Sequence, residues 1–435
     1  MSLLPRPLLL AACLGLFALT ACSTAPKHRL MGNPENPYPL ETPPKVGEIV
    51  HLATGVKVSA EEMLDIAGDS RVVYVGETHD NPASHRLELL ALKGMERRHP
   101  GQTALGMEMF TRSQQPILDR WVAGELDEKS FVKTSKWYDN WRMDFDYYRD
   151  LLLFCRDQHI PVVGLNADKS LVQAVRSKPL AELTPEEKAQ LPEFDMNDPY
   201  QRGMTESMFQ GHTHGKMAVE AFLRAQTLWD ETMAESAVRF LKSPAGKGRH
   251  LVVIAGGNHI NYGFGIPRRV FRRLPTSYTL IGGSEISISE GKVPEYMDVT
   301  IPDFPMRPYD FLAFISYEQL QKQILLGVAY EPEPNGKGLK VQTVVPDSNA
   351  SRADIKASDI LTAMDGEPLT DGYDLSFGIK KKNPGDHGTI ELLRDGKPMK
   401  VDVEYRGAGG APATGAAPAA GAPPAASETH PKEKP

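Results

Sequence analysis

Four polar clusters stand where short apolar runs stop, and their residues are of the kinds that bind metals, move protons or hold anionic ligands. Glu77-Thr78-His79-Asp80-Asn81-Pro82 follows Val72-Val73-Tyr74-Val75-Gly76, and Glu108 follows Thr103 to Met107. Asn166 follows Ile160 to Leu165, and Gly256-Gly257-Asn258-His259 follows His250 to Ala255. A Glu and a His two residues apart at a strand end point to the same side, so Glu77 and His79 can meet one ligand or one metal ion. The plainer role here is a helix cap by Asp80 or Asn81 ahead of Pro82. Both roles hold together, because a cap needs only one of these polar residues. The glycines before His259 allow a sharp turn and close backbone approach. A single strand-end histidine is more often structural, but a second on the same rim argues for a site.

Other chemistry-bearing residues carry less. Tyr262 offers a phenol able to ligate ferric iron. Arg268-Arg269 suit carboxylates or propionates, with a solvated helix terminus as the plainer alternative. His212-Thr213-His214 resembles a metal-binding pair at weak spacing. Trp137, Tyr138, Trp141, Phe145, Tyr147 and Tyr148 form the densest aromatic cluster, of a kind that more often packs helices than walls a planar ligand. Cys155 lies in an apolar helical stretch and reads as a buried structural thiol. No Walker phosphate loop, His-Glu-x-x-His or Gly-x-Ser-x-Gly is present.

The apolar runs that carry these residues are continuous and alternate with amphipathic segments. Such runs are strands covered on both faces, in a parallel sheet whose ligands gather outside the strand carboxyl ends. Helical spacing is seen over His85 to Arg98, Tyr147 to Gln158, Gln173 to Leu183 and about 217–242. A hairpin is expected from Ile49-Val50-His51-Leu52 and Val56-Lys57-Val58 around Thr54-Gly55. The fold class is therefore α/β, a mostly parallel sheet with helices on both faces over residues 47–320. Residues 322–405 change to short alternating segments, with Asp395-Gly396 as a hairpin turn, and predict a small β-rich domain.

The ends of the chain have a different character. Arg6 and the apolar stretch Leu8 to Leu19 have the form of a signal peptide, residues 1–21, too short to span a bilayer. Leu19-Thr20-Ala21-Cys22 resembles a bacterial lipobox and marks Cys22 for lipidation, Leu10-Ala11-Ala12-Cys13 being a looser match. Ser23-Thr24, without Asp, resembles an outer-membrane sorting signal. Residues 22–46 are a proline-rich tether, and 406–435 are an Ala/Gly/Pro tail with nothing to bury. The net charge of −7 offers no basic surface, so nucleic acid is not an expected partner.

In order and spacing, several of these motifs resemble the ChaN-like haem-binding lipoprotein family of the Tiki superfamily over residues 47–282. They are Val75 to Pro82, Gly106 to Phe110, Trp141 to Tyr148, Gly164-Leu165-Asn166, Ala225-Gln226 with Asp230 and Met233-Ala234, and Gly257-Asn258-His259 through Gly265-Ile266-Pro267. The resemblance implies an α/β fold and haem binding or uptake at the cell envelope. It also implies a tyrosine on the iron, histidine at the propionates, and a dimer as one arrangement. Tyr148 and Tyr262 are the candidate iron ligands, with Tyr200 behind them. Glu77, His79, Glu108, Asn166 and His259 complete the cofactor-binding set. Related branches are hydrolases that share the Gly-Glu-x-His and Gly-x-x-His positions.

Residues 322–405 resemble a bacterial PDZ domain, with Gly338-Leu339-Lys340-Val341 as carboxylate-binding loop and strand. Asp354 and Ser358 stand where such domains usually have glycine. PDZ domains add a peptide C-terminus to a sheet edge. The leading expectation is thus a non-enzymatic envelope protein, lipid-anchored in the outer membrane and facing the periplasm or surface, that binds haem and recruits a peptide-tailed partner. The runner-up is a hydrolase using a divalent metal at Glu77, His79 and His259. A non-catalytic PDZ scaffold is third.

Overall fold

The computed structural model describes residues 40, 42–209, 215–290, 292, 302, 304–320, 324–334 and 336–407, without the side chains of 215–218. Cys22, His212 and His214 lie outside the described residues. The larger domain contains strands β1 (Ile49–His51), β2 (Val56–Val58), β3 (Val72–Glu77), β4 (Thr103–Thr111), β5 (Val162–Asn166), β6 (His250–Gly256), β7 (Tyr278–Ile288) and β8 (Phe311–Tyr317). Its helices are α1 (Ala60–Ala67), α2 (Pro82–Arg98), α3 (Gln115–Val122), α4 (Glu128–Thr134), α5 (Trp137–Asn140) and α6 (Arg149–Asp157). They continue with α7 (Lys169–Ser177), α8 (Pro185–Gln190), α9 (Pro199–Phe209), α10 (Gly215–Lys242), α11 (Gly257–Ile260) and α12 (Ile266–Arg273).

The strands form one sheet in the order β2-β1-β8-β7-β3-β6-β4-β5. Strands β3 to β8 run parallel, and β1 adds antiparallel to β8 with β2 as the expected hairpin partner. Alternate residues serve opposite faces, as the pleat requires. Val73, Val75, Val252 and Ile254 pack with Leu87 and Met95 of α2 and Leu152 of α6. Val72, Tyr74, Leu251 and Val253 pack with Met233 and Ala237 of α10 and Val270 of α12. Each fully buried Val or Leu contributes about 1.5–3 kcal/mol, which explains why the buried middle of each run is apolar.

Two expectations need adjustment. The helix expected over Gln173 to Leu183 is α7, which ends at Ser177 because Lys178 is extended (φ −146°) ahead of Pro179. Strands β7 and β8 were not among the four apolar runs; in β7, Gly282-Gly283 and the polar residues beyond them interrupt the pattern.

The smaller domain contains β9 (Val328–Pro332), β10 (Leu339–Val344), α13 (Asn349–Arg352), β11 (Ile360–Met364), β12 (Glu367–Pro368), α14 (Gly372–Lys380), β13 (His387–Arg394) and β14 (Lys397–Glu404). The antiparallel order is β14-β13-β11-β10-β9, around a core of Leu339, Val341, Leu361, Ile390, Leu392 and Val403. Asp395 and Gly396, at φ 53° and 74°, make the expected tight turn. Asp354 (φ 59°) and Ser358 (φ 73°) take left-handed conformations where glycine is usual, and Arg394 donates to the Asp354 carbonyl at 2.6 Å.

Candidate functional site

Sheet order brings the polar clusters together. Because β6 lies between β3 and β4, the strand ends bearing Glu77 and Gly256 are neighbours in register, and Glu108 stands on β4 just past Met107, where the β4–β6 ladder stops. The loop after β3 carries His79, and α11 after β6 carries His259. Asn81 caps α2, its side chain accepting from Ala83 N at 3.1 Å ahead of Pro82, so cap and site coexist. Asp80 turns away to the Tyr317 hydroxyl and Lys292.

Glu77 is the hub. Its carboxylate lies 2.5 Å from His79 Nδ1 and accepts from the Tyr148 hydroxyl at 2.9 Å. His85 Nδ1 stands 3.0 Å from both Glu77 Oε2 and Glu88 Oε2, and its Nε2 is 3.1 Å from the His79 carbonyl. On the neighbouring strands Glu108 accepts from Gly256 N at 2.7 Å, and Asn166 Nδ2 donates to the Glu108 carbonyl at 3.0 Å. His259 reaches Glu108 through Nε2 at 3.5 Å and Asp230 through Nδ1 at 2.6 Å. Trp141 meets the His79 ring edge-on at 4.9 Å, and Trp229 meets His259 at 6.3 Å.

The charges alternate through this network. Burial opposes charge on His259, yet Glu108 and Asp230 lift its pKa to about 9. Burial likewise opposes charge on His85, and Glu77 and Glu88 lift it to about 10. His79 is raised by Glu77 against the same burial penalty. Burial favours a neutral Glu77, but His85 and His79 hold it well below the ordinary carboxylate range. Burial and the neighbouring Glu77 push the Glu88 carboxyl well up, against the pull of His85. The Tyr148 phenol is also pushed up by burial and Glu77. The site is therefore a run of imidazole and carboxylate groups under a mostly closed surface, with His79 its most accessible member at 27% side-chain exposure.

Glu77, His79, Glu108, Tyr148, Asn166 and His259 are thus brought together. Tyr262 is not: at φ 57° it packs into a separate aromatic cluster, 5.3 Å from Phe264 and 5.0 Å from Phe304. Tyr200 stacks on the same Phe264 at 5.4 Å. Arg269 is neither a solvated terminus nor a propionate clamp; it is buried against Glu231 at 3.1 Å. Arg268 pairs with Asp198. Cys155 is a buried free thiol whose pKa burial raises. Residues not assigned from sequence are His85 and Glu88, which lie three apart on one face of α2, and Tyr309. The His85/Glu88 spacing was legible as an i, i+3 pair. The Tyr309 hydroxyl lies beneath Gly76 and Gly257, where a Cβ would stand 2.9 and 3.2 Å from it.

The donor set offers imidazole and carboxylate atoms of the kinds that hold anionic groups or a cation. A Cβ on Gly256 would stand 3.0 Å from His79 Nε2, so glycine there keeps that nitrogen clear, while Glu77 fixes Nδ1. Glu77, His85 and Glu88 offer ligand atoms within 4.8 Å of one another, the one such group of three among the described residues.

In the smaller domain the expected peptide-binding residues need correction. Gly338 precedes β10, and Leu339, Lys340 and Val341 lie on it; β10 is paired with β9 on one side and β11 on the other. A strand with both edges used cannot accept a peptide. Strand β9 lies at an edge of the sheet, and the segment leading into it, Ile324-Leu325-Leu326, faces α14 across a cleft of about 360 Å³.

Residues 63–270 match the family described as haem-binding uptake, Tiki superfamily, ChaN, and residues 325–405 match the PDZ domain. The chain carries a ChaN-type domain of the Tiki superfamily followed by a PDZ domain. It is similar to Protein RETICULATA-RELATED 5, chloroplastic, of Arabidopsis thaliana, 25% identical over 256 residues, covering 54% of this chain and 33% of that protein. It is also similar to the periplasmic pH-dependent serine endoprotease DegQ of Escherichia coli, 39% identical over 67 residues, 15% of each chain. The chain thus spans a third or less of the length of these curated relatives. The solved structure described as cofacial heme binding to ChaN of Campylobacter jejuni matches at 15% identity and TM-score 0.49, over 63% of this chain and 98% of that one.

Proposed function

We propose that the α/β domain binds haem, for haem or iron uptake or handling at the bacterial envelope, and that the PDZ domain recruits a partner by its C-terminal peptide. The observation that carries this is the convergence of His79, Glu108 and His259 on one rim of a ChaN-type domain. The raised pKa values of both histidines suit them to anionic propionates. Each candidate iron ligand is constrained: Tyr262, half-buried, packs in the aromatic cluster of Phe264 and Phe304 away from the rim, and Tyr148, 1% exposed, commits its hydroxyl to Glu77. Haem held there would bring its iron as cargo. Cys22 is proposed as the lipid anchor; incorporation of a palmitate analogue that persists in Cys22→Ala would refute it.

A hemin titration of the full chain, followed by absorbance, tests the haem reading. Saturable binding is expected, weakened by His79→Ala or His259→Ala, and a displaced Soret band in either Tyr148→Phe or Tyr262→Phe names the iron ligand. A linear, non-saturating response identical in all variants defeats it. A second reading, a metal-dependent hydrolase, is favoured by the His259–Asp230 pair and the Glu77/His85/Glu88 group. It requires zinc or manganese in the purified protein and a hydrolytic activity that Glu77→Gln abolishes.

A further inference from the structure

The cleft between α14 and the segment leading into β9 is not walled by the PDZ domain alone. Its lining includes Ile324, Leu326, Tyr373, Phe377 and Lys380 on one side, and Tyr138, Asp144 and Asp146 of the α/β domain on the other. Tyr373, Phe377 and Lys380 recur at helical spacing, so one face of α14 looks onto this wall. The Tyr138 and Tyr373 rings are 5.5 Å apart, and Lys380 pairs with Asp146. Behind them, Asp374 is held by Lys129 at 3.2 Å and Lys133 at 2.7 Å, both from α4. Tyr373 is buried in the larger domain's core rather than in the PDZ core.

The groove retains what a peptide carboxylate needs. The carbonyls of Leu325, Leu326 and Gly327 are taken inward by Asn349 Nδ2, Ala350 N and Val345 N at 2.8–2.9 Å. A trans peptide sets the next N–H opposite each carbonyl, which turns the N–H groups of Leu326, Gly327 and Val328 outward as an anion nest. Ile324, Leu326 and Phe377 around it suit an apolar final side chain.

The wall segment also touches the histidine rim. Trp141 lies edge-on to His79 at 4.9 Å, and the Tyr148 hydroxyl donates to Glu77 at 2.9 Å. Its helix α5 is framed by two non-glycine residues in left-handed conformations, Lys136 (φ 50°) and Arg142 (φ 71°). Such positions persist only where surrounding contacts over-determine them, and they cluster in segments with alternative arrangements.

We propose that the peptide groove is a two-domain site: residues 138–146 form its second wall, and through Trp141 and Tyr148 its occupancy is linked to ligand binding at Glu77 and His79. The occupant is the free C-terminus of a partner protein ending in an apolar residue. This rests on the peptide-recruitment reading above. Linkage makes the effect reciprocal, each ligand changing the other's affinity by the same factor.

The test uses the full chain and fluorescein-labelled octapeptides that differ only in the last residue (Val, Leu, Phe or Lys), each as free acid and as C-terminal amide. Fluorescence anisotropy is expected to show binding of an apolar-ended acid, lost in its amide and weakened about fivefold by Tyr138→Ala. Asp146→Asn should weaken it less. The peptide at saturation is expected to change the hemin dissociation constant about threefold or more, and hemin to change that of the peptide by the same factor. Unchanged or tighter peptide binding in both wall variants overturns the two-domain groove while leaving peptide recruitment intact. An unchanged hemin constant overturns the linkage. Equal affinity for acid and amide, or no binding at all, removes carboxylate recognition and this proposal with it.

Discussion

At the scale of single residues, Glu77 matters most because three groups depend on its charge. Its side chain is fully buried and faces His79, His85 and the Tyr148 hydroxyl. Glu77→Gln strands buried imidazolium groups without their anion, so a loss of about 3–5 kcal/mol is expected in urea unfolding. The pH dependence has a definite sign. His259 and His85 have folded pKa values of about 9 and about 10, above the ordinary imidazole value. The stability they contribute is complete below an unfolded pKa of about 6.5 and is lost as pH rises through the folded values. Melting temperature should therefore fall between about pH 6.5 and 10. Asp230→Asn should flatten the part of that slope near pH 9, and an identical slope in wild type and variant would contradict the assignment.

At the scale of elements, the ends of β3, β6 and β7 are shaped by Tyr309 as much as by the polar residues. Gly76, Gly257 and Gly282 all face its ring or hydroxyl, and a Cβ on Gly282 would overlap the ring. Gly282→Ala is expected to cost about 1–3 kcal/mol through overpacking. Tyr309→Leu should recover part of that loss in the double variant, because the two sites share one contact. Strict additivity by denaturant titration would show that Tyr309 is not what excludes a side chain there. The same glycines explain why the motif ahead of each rim histidine tolerates no bulk.

At the scale of the whole molecule, the two domains are joined by charge as well as by packing. Lys129 and Lys133 converge on Asp374, whose carboxyl is held well below its usual range despite burial, chiefly by Lys133. Replacing both lysines by alanine should loosen α14 from α4 and speed proteolysis at the junction between the domains, with little change in either domain's own core. An unchanged cleavage rate at low and high salt would mean that the Tyr138 and Tyr373 contact alone holds them.

The sequence by itself determined the periodic features: the buried strands, the helices packed on both faces, the β-rich character of residues 322–405 and the rim residues Glu77, His79, Glu108, Asn166 and His259. These follow from local rules, since a strand covered on both faces must be continuously apolar and its polar residues must collect at its ends. Tertiary structure alone decided which ends are neighbours, because the position of β6 between β3 and β4 is a matter of chain order in space. It placed Tyr262 in another cluster, buried Arg269 against Glu231, and added His85 and Glu88 beneath the rim. It also put the expected peptide-binding strand β10 inside the sheet and β9 at an edge. A strand's pattern reports how many of its faces are covered, whereas edge pairing is made by backbone groups that every residue shares, so no side-chain pattern could have told the two strands apart.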